Sequence, residues 1–154
     1  MTAPNHALTG ALIGLTITNP ALALPLAFLS HLVCDAIPHY DAAEKDETKR
    51  LQSRAFVRDF LVIGAALCLA LVVVLALARP AHWFQAAVCA FLATSPDLFW
   101  LPRFLRARRG QKPQPLRNWF MRFHAWVQWR TGPAYAWVET VWFGLFSALL
   151  ISKL

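Results

Sequence analysis

Apolar stretches separated by short polar interruptions run along the whole chain, and the interruptions fall where helices must end. His6 to Thr18 form a first apolar segment, in which Gly10 and Gly14 sit four apart, a spacing that lets a neighbouring helix approach closely. Asn19-Pro20 breaks it, because proline disfavours helix in the residue before it. A second apolar run goes from Pro20 to Ala36 and is stopped by Pro38. At about 1.5 Å per residue these segments reach roughly 20 and 25 Å, short of a hydrocarbon core about 30 Å thick. They predict a compressed or partly re-entrant helical hairpin. Residues 39–54 are polar and read as a solvated loop. Residues 55–78 are the clearest span, with Arg58 and Asp59 as their only charges. Arg79-Pro80 turns the chain into a run from His82 to Thr94, which continues past Ser95-Pro96 into a short helix ending near Leu105. A basic loop follows, then a Trp-rich helix from Asn118 to Arg130, and a last span from Pro133 to Ile151. The expectation is an all-α, polytopic membrane bundle of about five passes, a single integral domain over residues 1–154.

Composition narrows the class. Apolar residues make up 58% of the chain and charged ones 15%, which excludes a disordered chain, a disulfide scaffold and a conventional soluble enzyme. The net charge of +7 would suit nucleic acid, yet eight basic residues cluster between Arg103 and Arg130, beside apolar spans. That placement marks a cytoplasmic face and attracts anionic lipid, so no nucleic-acid partner is expected. Cys34, Cys68 and Cys89 stand singly, without metal or disulfide spacing. The N-terminus has no basic n-region and reads as retained. Placing the 39–54 and 103–117 loops inside puts the N-terminus inside as well. Gly10 and Gly14 also offer a face for a homo-oligomer. A faint internal echo links Ala27-Phe28-Leu29 and Asp35 to Ala90-Phe91-Leu92 and Asp97. It suggests two similar helices bringing an Asp to one membrane side.

Ionisable residues within apolar helices cost about 2.5–3.5 kcal/mol near the bilayer centre, so those present ask for a reason. On the five-pass topology His6, His31, Asp35, His39, Asp97, His124 and Glu139 converge at the inner level; His82 lies opposite, and Asp59 is expected to pair with Arg58 or a loop cation. Imidazoles and carboxylates together form a ligand set for Zn²⁺ or Mn²⁺. His31 and Asp35 share one helix face, as do His124 and Gln128, the latter as a polar supporting residue. Each has a plainer reading: an interfacial histidine, a hydrogen-bonded pair, a helix start at Ser95-Pro96-Asp97, or a Glu139 ion pair.

At Asn5-His6, at His31-Leu32-Val33-Cys34-Asp35-Ala36-Ile37-Pro38-His39 and at Ser95-Pro96-Asp97 the chain resembles the predicted membrane-bound metal-dependent hydrolases, the LexA-binding, inner-membrane-associated family. Phe123-His124 and Gln128, before a glutamate-bearing last helix, are similar to small relatives of that group. More distantly the arrangement is similar to the helical zinc-dependent phospholipase C enzymes. The resemblance implies an all-helical protein of a bacterial inner membrane whose His and Asp residues bind divalent metal. Where the family often has Pro-Asp-x-Asp-His after its second helix, this chain reads Asp35-Ala36-Ile37-Pro38-His39-Tyr40-Asp41.

The resulting expectation is metal-dependent hydrolysis of a phosphoester in a lipid or lipid-linked substrate at the cytoplasmic face. One or two ions, zinc first and manganese second, would be held by His6, His31, Asp35, His39, Asp97 and His124. Two divalent ions with Asp35, Asp97 and Glu139 ionised leave one positive charge, which suits an anionic substrate. Glu139 is the expected general base if it is not a ligand, with Asp35 the other catalytic carboxylate. Arg103, Arg106 and Arg117 would attract the headgroup, beside anionic lipids. The alternatives are a metal or proton transporter and a non-catalytic structural or partner-binding membrane protein. No serine elbow, phosphate-cradling glycine loop or dinucleotide fingerprint occurs.

Overall fold

In the computed structural model every residue is described except Lys45, Pro113 and the side chain of Asp59, and the described residues form helices without a strand. The expected pairing of Asp59 lies outside the described residues. Helix α1 is Ala3–Thr16, and α2 is Pro20–Ala36, started by Pro20 and by Asn19, whose side chain accepts from the Ala21 N–H at 3.0 Å. Asp46 caps the short α3, Glu47–Gln52, and Ser53 caps α4, Arg54–Ala78. Residues Val57–Ile63 of α4 are π-helical. Helix α5, Trp83–Arg108, tightens to a 3₁₀ stretch at Ser95–Trp100. Asn118 caps α6, Trp119–Val127, and α7 is Pro133–Ile151.

Three of these helices, α4, α5 and α7, are long and apolar enough to cross a membrane, and α2 is a shorter apolar helix. Only 17% of the most apolar window of α4 is buried in the protein, and its exposed Val62, Leu69 and Leu77 fit a helix that faces hydrocarbon.

Helix α1 lies at the centre and packs against α2, α4, α5 and α7. Its closest approach is to α5. A Cβ at Gly10 would stand 2.3 Å from the Cys89 carbonyl oxygen, and one at Gly14 would stand 2.6 Å from the Ala86 Cα. The small-residue face is therefore used within the chain. Enclosure also explains how a helix this short tolerates buried Asn5, His6 and Thr9: neighbouring helices, not lipid, surround it.

The structure departs from the sequence reading at several points, α1 for one running from Ala3 to Thr16 and not from His6 to Thr18. The 39–54 segment is not all loop, since α3 holds Glu47 against the Arg103 guanidinium at 2.6 and 2.9 Å. The basic stretch stays helical as far as Arg108. The Trp-rich helix stops at Val127, freeing the Arg130 carbonyl to accept from His39 N–H at 3.3 Å, while Gly132 N–H donates to the His39 carbonyl at 3.1 Å.

Candidate metal centre

Several elements meet at the end of the bundle where α1 and α7 begin and α2 ends. In α2 the helical repeat sets His31 and Asp35 one turn apart on the same face. The first turn of α1 supplies His6, and the 3₁₀ stretch of α5 turns Asp97 inward from its Ser95-Pro96 start. Helix α6 supplies His124. These imidazoles are fully buried and Asp35 is nearly so, whereas the Asp97 side chain is 43% exposed.

Asp35 is the hub. Its Oδ2 lies 2.8 Å from His124 Nε2 and 3.2 Å from His31 Nε2, and accepts a hydrogen bond from Gln128 Nε2 at 2.8 Å. The two Nε2 atoms of His31 and His124 are 3.0 Å apart, and Asp97 Oδ1 is 3.5 Å from His31 Nε2. One donor atom from each of His31, Asp35, Asp97 and His124 falls within 4.8 Å of all the others. Bonds of about 2.0–2.1 Å to a tetrahedral zinc separate its donors by about 3.3 Å. The measured separations bracket that value, with the half-exposed Asp97 having the most freedom to adjust. This buried cluster can hold a metal ion.

Hydrogen bonds behind the cluster set the tautomers. His31 Nδ1–H donates to the Ala93 carbonyl at 2.7 Å, which turns Nε2 towards the other donors. His124 is set the opposite way. Trp100 Nε1–H donates to His124 Nδ1 at 3.2 Å, so the ring proton sits on Nε2 and is given to Asp35. For His124 to ligate through Nε2, that proton must leave and the Trp100 contact must break.

The remaining candidates surround this core. His6 stacks on His31 with ring centroids 3.9 Å apart, and its Nε2 is 3.1 Å from Asp35 Oδ1. That approach lacks hydrogen-bond geometry, so both His6 nitrogens are buried without a hydrogen-bond partner. Such atoms cost about 1–3 kcal/mol each, and an orphaned imidazole beside a carboxylate fits a metal ligand. His39 is farther out, with Nε2 4.0 Å from Asp35 Oδ1 and Nδ1–H donating to the Ile37 carbonyl at 2.8 Å. Burial pushes its pKa below the usual imidazole range, which keeps it neutral. The Met1 amino group donates to Asp35 Oδ1.

Glu139 is bound to the start of α1. Its carboxylate accepts from the Thr2 hydroxyl at 2.8 Å, from Thr2 N–H at 3.2 Å and from Asn5 Nδ2 at 2.6 Å, holding the positive N-terminal end of α1 against α7. Arg103, Arg106 and Arg117 line one groove of about 230 Å³, although Arg103 also pairs with Glu47 and donates to the Gln114 carbonyl. His82 lies away from the site, as expected, in the turn before α5. Sequence reasoning missed Met1, Thr2 and Trp100. Trp100 carried one usable signal, its position three residues after Asp97, which in a 3₁₀ turn shares a face with it. Among known proteins, no family model, curated protein or solved structure matches this chain.

Proposed function

We propose that the protein is a membrane-embedded metal-dependent hydrolase that cleaves a phosphoester of a lipid or lipid-linked substrate. The observation that carries the reading is the buried cluster of His31, Asp35, Asp97 and His124 at one end of a bundle of apolar helices. The resemblance to the membrane-bound metal-dependent hydrolases is part of the same proposal. So is a five-pass, single-domain topology in a bacterial inner membrane, with the site end and the N-terminus cytoplasmic.

The chain's residues divide the work. His31, Asp35, Asp97 and His124 hold the ion, zinc before manganese, with His6 and His39 positioned to extend the set to a second. A divalent ion supplies Lewis acidity, which lowers the pKa of water towards about 7 and polarises a phosphoryl oxygen. Gln128 fixes the Asp35 carboxylate. Asp97, the most exposed of the four, faces the open side and is placed to take a proton at its free oxygen. Glu139 positions α1, and with it His6. The Arg103, Arg106 and Arg117 groove provides positive charge for a phosphate group and for anionic lipid around it.

The test is metal analysis of purified protein together with hydrolysis of a chromogenic phosphodiester in mixed micelles. The reading predicts bound transition metal and turnover, both lost in His31→Ala and Asp97→Ala. Protein that takes up no stoichiometric metal after repletion overturns it. A second reading, a non-catalytic polar core, is favoured by the hydrogen bonds that Asp35 accepts from Met1, His124 and Gln128. In that case chelators leave thermal stability unchanged while His31→Ala lowers it.

A further inference from the structure

Beside the cluster, between α4 and α5, runs a cavity of about 490 Å³, within the roughly 300–1,000 Å³ usual for small-molecule sites. Its lining changes character along its length. The polar end has Asp41, Glu47, Arg50 and Arg103 beside His39 and Asp97, so it opens directly onto these two candidate metal ligands. The other end is apolar: Phe60, Leu61, Ala65 and Cys68 from α4 face Phe91 and Leu98 from α5. From Phe60 to Cys68 the helical rise gives this apolar wall a length of about 12 Å.

Two further features fit a ligand that enters from the side. The rim is open: Leu61 is 40%, Leu98 55% and Phe91 61% exposed, on helices that face hydrocarbon. The wall also contains the π-helical stretch Val57–Ile63, a distortion that recurs at functional sites. There Phe60 stacks between Phe56, at 5.0 Å, and Tyr40, at 6.0 Å, forming an aromatic face from the polar end towards the apolar one.

We infer that this cavity binds one hydrocarbon chain of a bilayer phosphoester, admitted sideways between α4 and α5 so that the ester end rests against Asp97 and His39. The inference builds on the hydrolase reading for the ester chemistry but stands on the shape and lining of the cavity. A chain lying here is continuous with the bilayer interior, so the substrate need not leave the membrane. The occupant is a long-chain phosphoester, and both acyl phospholipids and polyprenyl phosphates offer that chemistry.

The experiment is native mass spectrometry of the detergent-solubilised protein, mixed separately with a long-chain phosphatidylglycerol, a polyprenyl phosphate and a short-chain phosphatidylglycerol. One long-chain adduct per protein is expected, at least tenfold more abundant than the short-chain adduct, and the retained long-chain species names the source. Ala65→Trp and Leu61→Trp, which fill the apolar end, should each reduce that adduct at least tenfold. Leu69→Trp, on the same helix but outside the cavity, should not. Metal content and thermal stability are measured on every variant, and because two filling variants are used, one that fails to fold leaves the other to decide. Adducts unchanged by the filling variants, or equal for long and short chains, overturn the inference. The two readings fail separately: retained lipid without metal or turnover sinks the hydrolase alone, and turnover of a long-chain phosphoester indifferent to Ala65→Trp sinks the cavity alone.

Discussion

At the end of the bundle where α1 starts, His6, His31, Asp35 and His124 are buried against one another. Towards the end where α1 stops, the core is Leu71, Leu75, Ala86 and Leu150, and the chief polar device is Gln85, which donates to the Gly14 and Ile17 carbonyls at 3.2 and 2.6 Å. One end minimises its unsatisfied groups; the other concentrates them. In a helical membrane protein packing is supplied by small residues and close backbone approach, so the second end needs no ionisable group to be stable. The first end departs from that economy, and its departures sit around one carboxylate. The comparison separates what holds the fold from what the fold is holding.

The most drastic way to break the comparison is to attack the packing. Gly10→Leu must displace the backbone of α5, because its Cβ would meet the Cys89 carbonyl oxygen and the Ala93 Cβ. We expect loss of the folded protein, read as loss of a monodisperse peak in detergent and of bound metal together. Gly144→Leu, with nothing within 4 Å of its Cβ, should leave both unchanged. Less severe substitutions should separate the ends. Leu75→Ala empties a fully buried site and should cost about 2–5 kcal/mol of stability while metal stoichiometry is retained. Asp35→Asn should do the reverse in emphasis and reduce metal content to background. It also lowers stability, by up to about 3–5 kcal/mol, because the Met1 ammonium loses its buried partner. Metal retained in Asp35→Asn would remove the cluster from consideration as the ion's site.

Gln128 tests how far the polar end is organised beyond its ligands. Its side chain orients Asp35 and touches His124 Nε2 at 3.1 Å without belonging to the four-residue cluster. Supporting residues of this kind are worth about 10–100-fold in metal affinity. Gln128→Ala should weaken binding by that factor in a chelator competition, with the number of ions unchanged. An unaltered affinity would make Gln128 a packing residue only.

The two ends also differ in how much of them the sequence disclosed. Helix α2 has the bounds its prolines dictate, and the long spans are evident because an uninterrupted apolar run needs no tertiary information. The small-residue spacing of Gly10 and Gly14 announced a close helix contact, but its partner, α5, is a fact of three-dimensional packing. At the polar end His31 and Asp35 were legible as a pair because four residues make one helical turn. The central position of α1 was not, since hydropathy scores a helix against lipid and this one faces protein. Glu139 shows the same limit: its depth in α7 put it at the level of the histidines, and only the fold brings Thr2 and Asn5 to its oxygens. The π-helical stretch in α4 has no marker residue at all, such as a proline or glycine within Val57–Ile63.

The smallest effect we expect comes from Trp100, and its sign is the informative part. In the present arrangement the indole N–H donates to His124 Nδ1 and so keeps the ring proton on Nε2, the nitrogen that faces Asp35. Metal binding through Nε2 needs the other tautomer, which the indole opposes. Trp100→Phe removes one hydrogen bond, worth about 0.5–1.5 kcal/mol, from the metal-free state alone. The substitution should therefore lower the stability of the metal-free protein by that amount and tighten metal binding by about two- to tenfold, since each 1.4 kcal/mol is tenfold. In the wild type, tryptophan fluorescence should change on metal addition, and the change should be diminished in Trp100→Phe. A purely structural polar core gives the loss of stability without the gain in affinity. Calorimetric titration of the two proteins with zinc distinguishes these outcomes, and binding that is unchanged or weaker in the variant would mean that the indole does not oppose ligation by His124.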